Sequence, residues 1–264
     1  MHTNEQRYIM DLFAGKWAEY YQKEHHRTPE RLPLLLENAQ SGLEFFLHNG
    51  FARAGGEQAG YANIAVKALR NCVSSAGTYQ AFIEKDNAPE IVWAEFERIC
   101  EKQGKGVNKR VNEGVIKGLT KLSKESFQCN YNPLGYIINK IESSMTDAFL
   151  TLRSIKGIGD KIASFLLRDI VCMLNAEMKI PQKHKIFLQP IDRWIKETAI
   201  CLWKDINERT PNWVIAQRIV DKCGEFEISG VRFNQGAWQY CVTEVKDVKN
   251  LHAKLCNLCG IEKI

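Results

Sequence analysis

The amino-acid sequence predicts a mainly α-helical protein. Apolar residues recur three and four positions apart through most of the chain, as on the buried face of a helix. No set of segments alternates apolar and polar residues in the manner of half-buried strands. There is no fixed-period repeat and no low-complexity tract. The 264 residues suffice for two compact domains, or for one helical domain with two lobes. A hydrophobic fraction of 45% with 25% charged residues fits a folded chain and excludes a disordered one.

The elements follow in order. From Glu5 to Glu24, Tyr8, Ile9, Leu12, Phe13, Trp17, Tyr20 and Tyr21 keep helical spacing. Pro29 and Pro33 interrupt. Leu34–Leu47 reads as the next helix, stopped by Asn49-Gly50, and Arg53–Gly56 as a loop. Tyr61–Ser74 and Pro89–Lys102 are further helices, the second with proline in its favoured first turn. Glu113–Leu122 is a short helix and Asn132-Pro133-Leu134-Gly135 a turn. Thr146–Ile155 is helical. After Lys156-Gly157-Ile158-Gly159 a strongly apolar helix runs from Asp160 to about Asn175. Met178–Pro190 is a loop. Helices are expected at Asp192–Ile206, Asn212–Lys222, Asn234–Tyr240 and Val245–Leu258, with a short extended piece within Phe226–Phe233.

The formal net charge of +5 is mildly basic and by itself names no partner. Its distribution is more telling. Lys102, Lys105, Lys109, Arg110, Lys117, Lys121 and Lys124 crowd one stretch, opposed by Glu101, Glu113 and Glu125. Such a stretch can neutralise phosphates and release counterions; it reads equally as a solvated helix face. The nine cysteines are odd in number and mostly set in apolar helical patterns. That argues for buried thiols in a reducing compartment. No run approaches the roughly 18 apolar residues that cross a membrane, and Met1–Gln6 lacks the basic-then-apolar form of a secretory signal. The expectation is an intracellular protein.

The segment Leu152–Ser164 carries the most specific signal. Two helices reverse direction across Lys156-Gly157-Ile158-Gly159. Glycine admits the positive φ such a turn needs and permits close approach, while Ile158 can plug the space between the helices. The second helix opens at once, so its unpaired N–H groups face outward, suited to a phosphate oxygen. Ile162, Phe165 and Leu166, with Ile155 and Leu152 on the first helix, form the apolar seam. This is a helix-hairpin-helix pattern. It points to binding of a DNA backbone by Lys156, Gly157, Ile158 and Gly159, and does not by itself specify an enzyme.

Further on, Gln189-Pro190-Ile191-Asp192 directly precedes a helix. Asp192 alone reads as an N-cap. Together with the hairpin, the region Leu152–Ile195 resembles the helix-hairpin-helix, Gly-Pro-rich-loop-Asp superfamily of DNA glycosylases. The resemblance implies a two-lobed helical glycosylase fold. One lobe would span about 60–175 and end in the hairpin at 146–175; residues 1–59 and 176–264 would form the other. It also implies that Lys161 is the nucleophile and Asp192 the catalytic carboxylate. Attack on the anomeric carbon needs a neutral amine, a form that burial and a helix N-terminus both favour. A lysine at that position implies strand-cleaving lyase activity as well as base removal. The other nearby carboxylates, Asp160 and Asp169, do not follow a proline loop.

Two departures from the family are visible. Lys156 stands where proline is usual. The step of 31 residues from Lys161 to Asp192 is longer than in most members and is similar to the archaeal-type 8-oxoguanine glycosylases. That branch implies a flipped base held between the side chain one turn after the lysine, Phe165, and a C-terminal aromatic, Trp238. Asn234, one turn before Trp238, stands where that branch tends to carry an acid and is the candidate for a base edge. Pro190 and Gln40 complete the expected base-binding set. Phe165 and Trp238 also suit ordinary core packing.

No cofactor is implied and no metal site is expected. Cys256 and Cys259 lack the family's iron–sulfur spacing: fourteen residues separate Cys241 from Cys256, and no cysteine follows Cys259. A zinc site would have to recruit Cys241, Cys223 or His252. The expected activity is that of a monomeric glycosylase/AP lyase on double-stranded DNA, with 8-oxoguanine the first base to consider. The alternatives are a non-catalytic helix-hairpin-helix module, in which Lys161 contacts phosphate and Asp192 caps a helix, and a helical scaffold with no affinity for DNA.

Overall fold

The computed structural model describes residues 1–51 and 57–260, with the backbone alone for 57–59. The loop expected at Arg53–Gly56 lies outside them. Every regular element among the described residues is helical. The chain divides into two compact units, Leu32–Leu166 and Met1–Arg31 with Leu167–Ile264. The divisions therefore fall at 31/32 and 166/167, not near 60 and 175. The segment after Arg31 joins the central unit because its second helix packs against three helices of that unit.

In the Leu32–Leu166 unit, the helix expected over Leu34–Leu47 is two helices, α3 (Arg31–Glu37) and α4 (Ala39–Gly50). Asn38 breaks them. Its backbone is extended, and its side chain accepts a hydrogen bond from the Ser41 amide at 3.2 Å, so the residue caps α4 instead of continuing α3. Pro33 sits in the first turn of α3, where its missing N–H costs nothing. α5 (Glu57–Ala76), α6 (Tyr79–Ile83), α7 (Ala88–Lys102) and α8 (Gly114–Glu125) follow. α4 packs on α5, α8 and α9 (Pro133–Ser143). Leu43, Phe46, Leu47, Phe96, Val115 and Leu119 are buried there.

The turn expected at Asn132–Gly135 is instead the start of α9. Asn132 accepts from the Leu134 and Gly135 amides at 2.9 and 3.3 Å. Its amide nitrogen also donates to the carbonyls of Leu35 and Leu36, at 2.9 and 3.1 Å. One side chain thus closes the end of α3 and the beginning of α9. Gly42 leaves it room, since a Cβ there would stand 2.9 Å from Asn132 Cγ. α10 (Met145–Arg153) and the first part of α11 (Asp160–Met173) complete the unit.

The other unit is built around its penultimate helix. It contains α1 (Thr3–Leu12), a π-helical turn (Phe13–Trp17), α2 (Ala18–Glu24), the rest of α11, α12 (Arg193–Leu202), α13 (Asn212–Phe226), α14 (Gly230–Tyr240) and α15 (Leu251–Leu258). The extended piece expected within Phe226–Phe233 is absent from the described residues. Glu227 turns left-handed at φ +58°, and α14 begins at Gly230. The cause is a double cap. The Ser229 hydroxyl accepts from Arg232 N, and the Glu177 carboxylate accepts from the amides of Gly230 and Val231 at 2.9 and 3.2 Å. The expected loop Met178–Pro190 carries a 3-10 segment at Gln182–Leu188.

α14 packs against α2 and the π turn. Phe13 and Trp17 meet Tyr240 with ring centroids 5.3 and 5.2 Å apart. The wide π turn frees a carbonyl from the helical ladder, and Arg232 Nε donates to that of Ala14 at 2.6 Å. Gly236 makes the approach possible: a Cβ there would lie 2.6 Å from the Phe13 carbonyl carbon and 2.8 Å from the Ala18 nitrogen. Backbone cannot swing aside as a side-chain tip can.

Gly236→Ala is therefore expected to lower the unfolding free energy by about 3 kcal/mol, the upper end for overpacking. Gly15→Ala, whose Cβ meets nothing within 4 Å, should stabilise by up to about 1 kcal/mol through helix propensity. Urea unfolding of the two variants beside wild type checks both.

Candidate functional site

The hairpin forms as the glycine pattern requires. α10 ends at Arg153 and α11 begins at Asp160. Ile155 N donates to Leu152 O at 3.2 Å, and Ile158 N to Ile155 O at 2.8 Å, which tightens the reversal. Gly157 has φ +93°, a conformation side chains resist. Ile158 is buried, as are Leu152, Ile155, Ile162 and Leu166. Arg153 and Asp160 form an ion pair across the turn, which accounts for Asp160.

The hairpin rests on α8 through two glycines one turn apart. A Cβ on Gly114 would lie 2.6 Å from the Lys156 carbonyl oxygen, and one on Gly118 would collide with Ile155 Cγ2. Gly159 is different. Its φ is not positive, and a Cβ there would meet nothing within 4 Å. Close packing asks for glycine at 114 and 118, and the backbone asks for it at 157. Nothing in the described fold asks for it at 159.

Lys156 is exposed and Lys161 is half-buried in the first turn of α11. Neither ammonium has an ion-pair or hydrogen-bond partner among the described residues. Phe165, one turn on from Lys161, is half-buried. Gln40 is tied down elsewhere in this unit. It donates to Glu44 at 2.8 Å, and Glu44 also pairs with Arg70 at 2.6 Å. Burial pushes the Glu44 carboxyl up, but the hydrogen bonds from Arg70 and Gln40 and the Arg70 charge outweigh it and hold it below its ordinary value. Gln40 belongs to the hairpin's unit, not to the lobe the sequence assigned it.

Most of the basic stretch is neutralised locally. Lys109 pairs with Glu97, Lys117 with Glu113 and Glu90, Lys121 with Glu125, and Lys124 with Asp86. Lys105 lies over the Tyr61 ring at 5.8 Å. A helix face laced by ion pairs accounts for much of this stretch without a ligand.

Asp192, Pro190, Asn234 and Trp238 belong to the other unit. Asp192 is the N-cap of α12: its Oδ1 accepts from Ile195 N at 2.9 Å. Its Oδ2 makes no hydrogen bond among the described residues. Pro190 and Ile191 are buried. The Pro190 carbonyl accepts from Asn234 Nδ2 at 3.3 Å, and the Gln189 side-chain carbonyl accepts from the same nitrogen at 3.2 Å.

This corrects the expectation for Asn234. The residue is 0% exposed, and its oxygen accepts from Arg168 at 2.8 Å. Both ends of the amide are engaged inside the unit, so it holds the loop before Asp192 and offers no edge to a base. Trp238 is half-buried, edge-on to Tyr21 and His25 with centroids 5.9 and 5.6 Å apart.

Behind Asn234 lies a charge cluster that sequence reasoning missed. Asp169 and Arg168 are both buried. Asp169 accepts from Tyr21, from Arg27 and from Arg168, each at 2.9 Å, and from Gln235 at 3.1 Å. Arg168 also donates to the Tyr21 hydroxyl at 2.6 Å. Burial pushes the Asp169 carboxyl up, yet the Arg168 and Arg27 charges and the bonds from Gln235 and Tyr21 hold it below its ordinary value. Burial, with the Asp169 charge, drives the Tyr21 hydroxyl well above its own. His25 is shifted down by burial and by Arg27. The adjacent Arg168-Asp169 pair in an apolar helix was the one available sequence signal.

Among the described residues no group of three His, Cys, Asp or Glu side chains is arranged to hold a metal ion. The described cysteines are all free. Burial pushes the Cys241 thiol up to about 12 and that of Cys201 to about 11. No described helix is long and apolar enough to cross a membrane. Comparison with family models, with curated proteins and with solved structures finds no match to this chain.

Asp169→Asn leaves Arg168 and Arg27 without their counter-charge and is expected to cost about 3–5 kcal/mol. Because folding lowers the Asp169 pKa, its contribution is present above the ordinary value of 3.8 and is lost as pH falls through the folded value. Urea unfolding of wild type and Asp169→Asn from pH 7 down to pH 3 should show the gap between them closing in acid.

Proposed function

We propose that this chain is an intracellular, monomeric DNA glycosylase with AP lyase activity, acting on double-stranded DNA and excising 8-oxoguanine. The observation that carries the proposal is Gly159. It is an exposed glycine with open space where its Cβ would stand and no positive φ to explain it. A bare backbone at the mouth of a helix suits close approach by a phosphate, with the helix dipole assisting. Lys161, unpaired in the same first turn, then lies beside the bound strand.

The chemistry follows from the residue types. The Lys161 amine attacks C1′ of the damaged nucleotide. The glycosidic bond breaks, its electron pair leaving with the base, which takes up a proton. Opening of the sugar ring yields a Schiff base between Lys161 and C1′. Loss of a C2′ proton then expels the 3′ phosphate by β-elimination. The Asp192 carboxylate, with Oδ1 bound to the helix start and Oδ2 unbonded, suits stabilisation of the positive charge that develops on the sugar. Phe165 and Trp238 remain the candidates for stacking on the flipped base. A non-catalytic module is the second reading, favoured by the cap that Asp192 forms with Ile195; Lys161 would then only contact phosphate.

Borohydride trapping on an 8-oxoguanine duplex and on an abasic duplex separates these readings. Wild type should form a covalent adduct on both, and Lys161→Gln on neither. Wild-type trapping on the abasic duplex alone would retain the lyase chemistry and reject 8-oxoguanine. Retained DNA binding with no adduct on either duplex would leave the module.

The hairpin glycines give a second expectation. Gly157→Ala should cost about 1–3 kcal/mol of stability from backbone strain. Gly159→Ala should leave thermal unfolding within about 2 °C of wild type yet weaken binding to duplex DNA about tenfold, the equivalent of 1.4 kcal/mol. Calorimetry and fluorescence anisotropy at fixed salt read the two effects, and unchanged affinity in Gly159→Ala would remove the support that this residue supplies.

A further inference from the structure

We infer that Asn234 is a positioning residue for Asp192, and that Arg168 sets the direction in which its amide acts. The inference rests on the glycosylase reading above. An asparagine amide has an acceptor end and a donor end, and packing alone discriminates poorly between the two orientations. Here charge decides. The Arg168 guanidinium donates to Asn234 Oδ1 at 2.8 Å, so the oxygen must face the cation. The nitrogen is thereby turned to the other side, where it meets the Pro190 carbonyl at 3.3 Å and Gln189 Oε1 at 3.2 Å. A reversed amide would set an NH2 group against a guanidinium and an oxygen against a carbonyl.

Arg168 is itself held. Asp169 and the Tyr21 hydroxyl accept from it at 2.9 and 2.6 Å. The chain of bonds thus runs from a buried ion pair, through one amide, to a carbonyl two residues before Asp192. Pro190 has no N–H, and its carbonyl has no other hydrogen bond among the described residues. The cap from Asp192 to Ile195 N fixes the far side of the same short segment. Asn234 fixes the near side. With both sides held, Asp192 Oδ2 keeps one direction, as a charge-stabilising carboxylate requires.

Removal of base needs Asp192 in place, because positive charge develops on the sugar as the bond breaks. Schiff-base formation on a site already abasic needs only the amine and an aldehyde. Disturbing Asn234 should therefore separate the two reactions, whereas general loss of folding would abolish both.

The test uses the full chain and borohydride trapping under single-turnover conditions, on 8-oxoguanine and abasic duplexes. Asn234→Asp keeps the volume and the acceptor for Arg168 but sets an oxygen against the Pro190 carbonyl. Asn234→Ala removes both bonds and is the second variant. Each should form the 8-oxoguanine adduct about 10²-fold more slowly, the scale of a misplacement near 1 Å, with abasic trapping within about threefold of wild type. Wild-type rates on 8-oxoguanine in both variants would overturn the inference. Equal loss on both duplexes in both variants would also overturn it, since Asn234 would then serve folding alone. A wild type that forms no 8-oxoguanine adduct, whether or not abasic DNA traps it, overturns instead the reading of this chain as an 8-oxoguanine glycosylase, on which the inference rests.

Discussion

The buried carboxylate of Asp169 imposes the strongest constraint in its unit. A charge withdrawn from water is tolerated only when paired and fully hydrogen-bonded. Arg168 and Arg27 supply the counter-charge, and Tyr21 and Gln235 fill the remaining acceptor positions. That solution creates a second demand, because the Arg168 guanidinium is buried too and its other donors need acceptors. The Tyr21 hydroxyl and Asn234 provide them. The polarity of Asn234 is then imposed, and with it a bond to the Pro190 carbonyl. A loop with no regular ladder of its own is in this way held by a charge it does not touch.

In the other unit the corresponding constraint is closeness. α8 approaches the hairpin turn so nearly that side chains at 114 and 118 would strike Lys156 and Ile155. Ile158 fills the reversal from within. The turn is therefore confined on the α8 side and plugged at its centre. Its tip at Gly159 stays open. Contact with a strand at that tip would involve groups whose positions are already set, which reduces the ordering a ligand must impose.

The basic stretch shows why counts of charge mislead. Seven cations within Lys102–Lys124 suggest an electrostatic footprint. Four of them, Lys109, Lys117, Lys121 and Lys124, face carboxylates on α7, on α8 or beside them. Exposed pairs of this kind add little stability, but they cancel much of the field a phosphate would feel. Lys156 and Lys161, outside that stretch, have no ion-pair partner among the described residues.

The sequence by itself determined the helical class, most helices, the hairpin and its plug. These follow from apolar periodicity and from the conformational limits of glycine, which are local properties. It also marked Lys161 and Asp192 as the residues to weigh. It misjudged Asn38 and Asn132, because the same asparagine-led segments can continue, turn or cap a helix. For Asn132 the choice fell to the carbonyls of Leu35 and Leu36, nearly a hundred residues away. Asn234 failed for the same reason. Its position on a helical face was legible, but its burial against Arg168 and Pro190 was not. Only the tertiary structure decided which polar atoms face one another. A hydrogen bond depends on the atom that fills the space opposite, and no local pattern records what a distant part of the chain brings there.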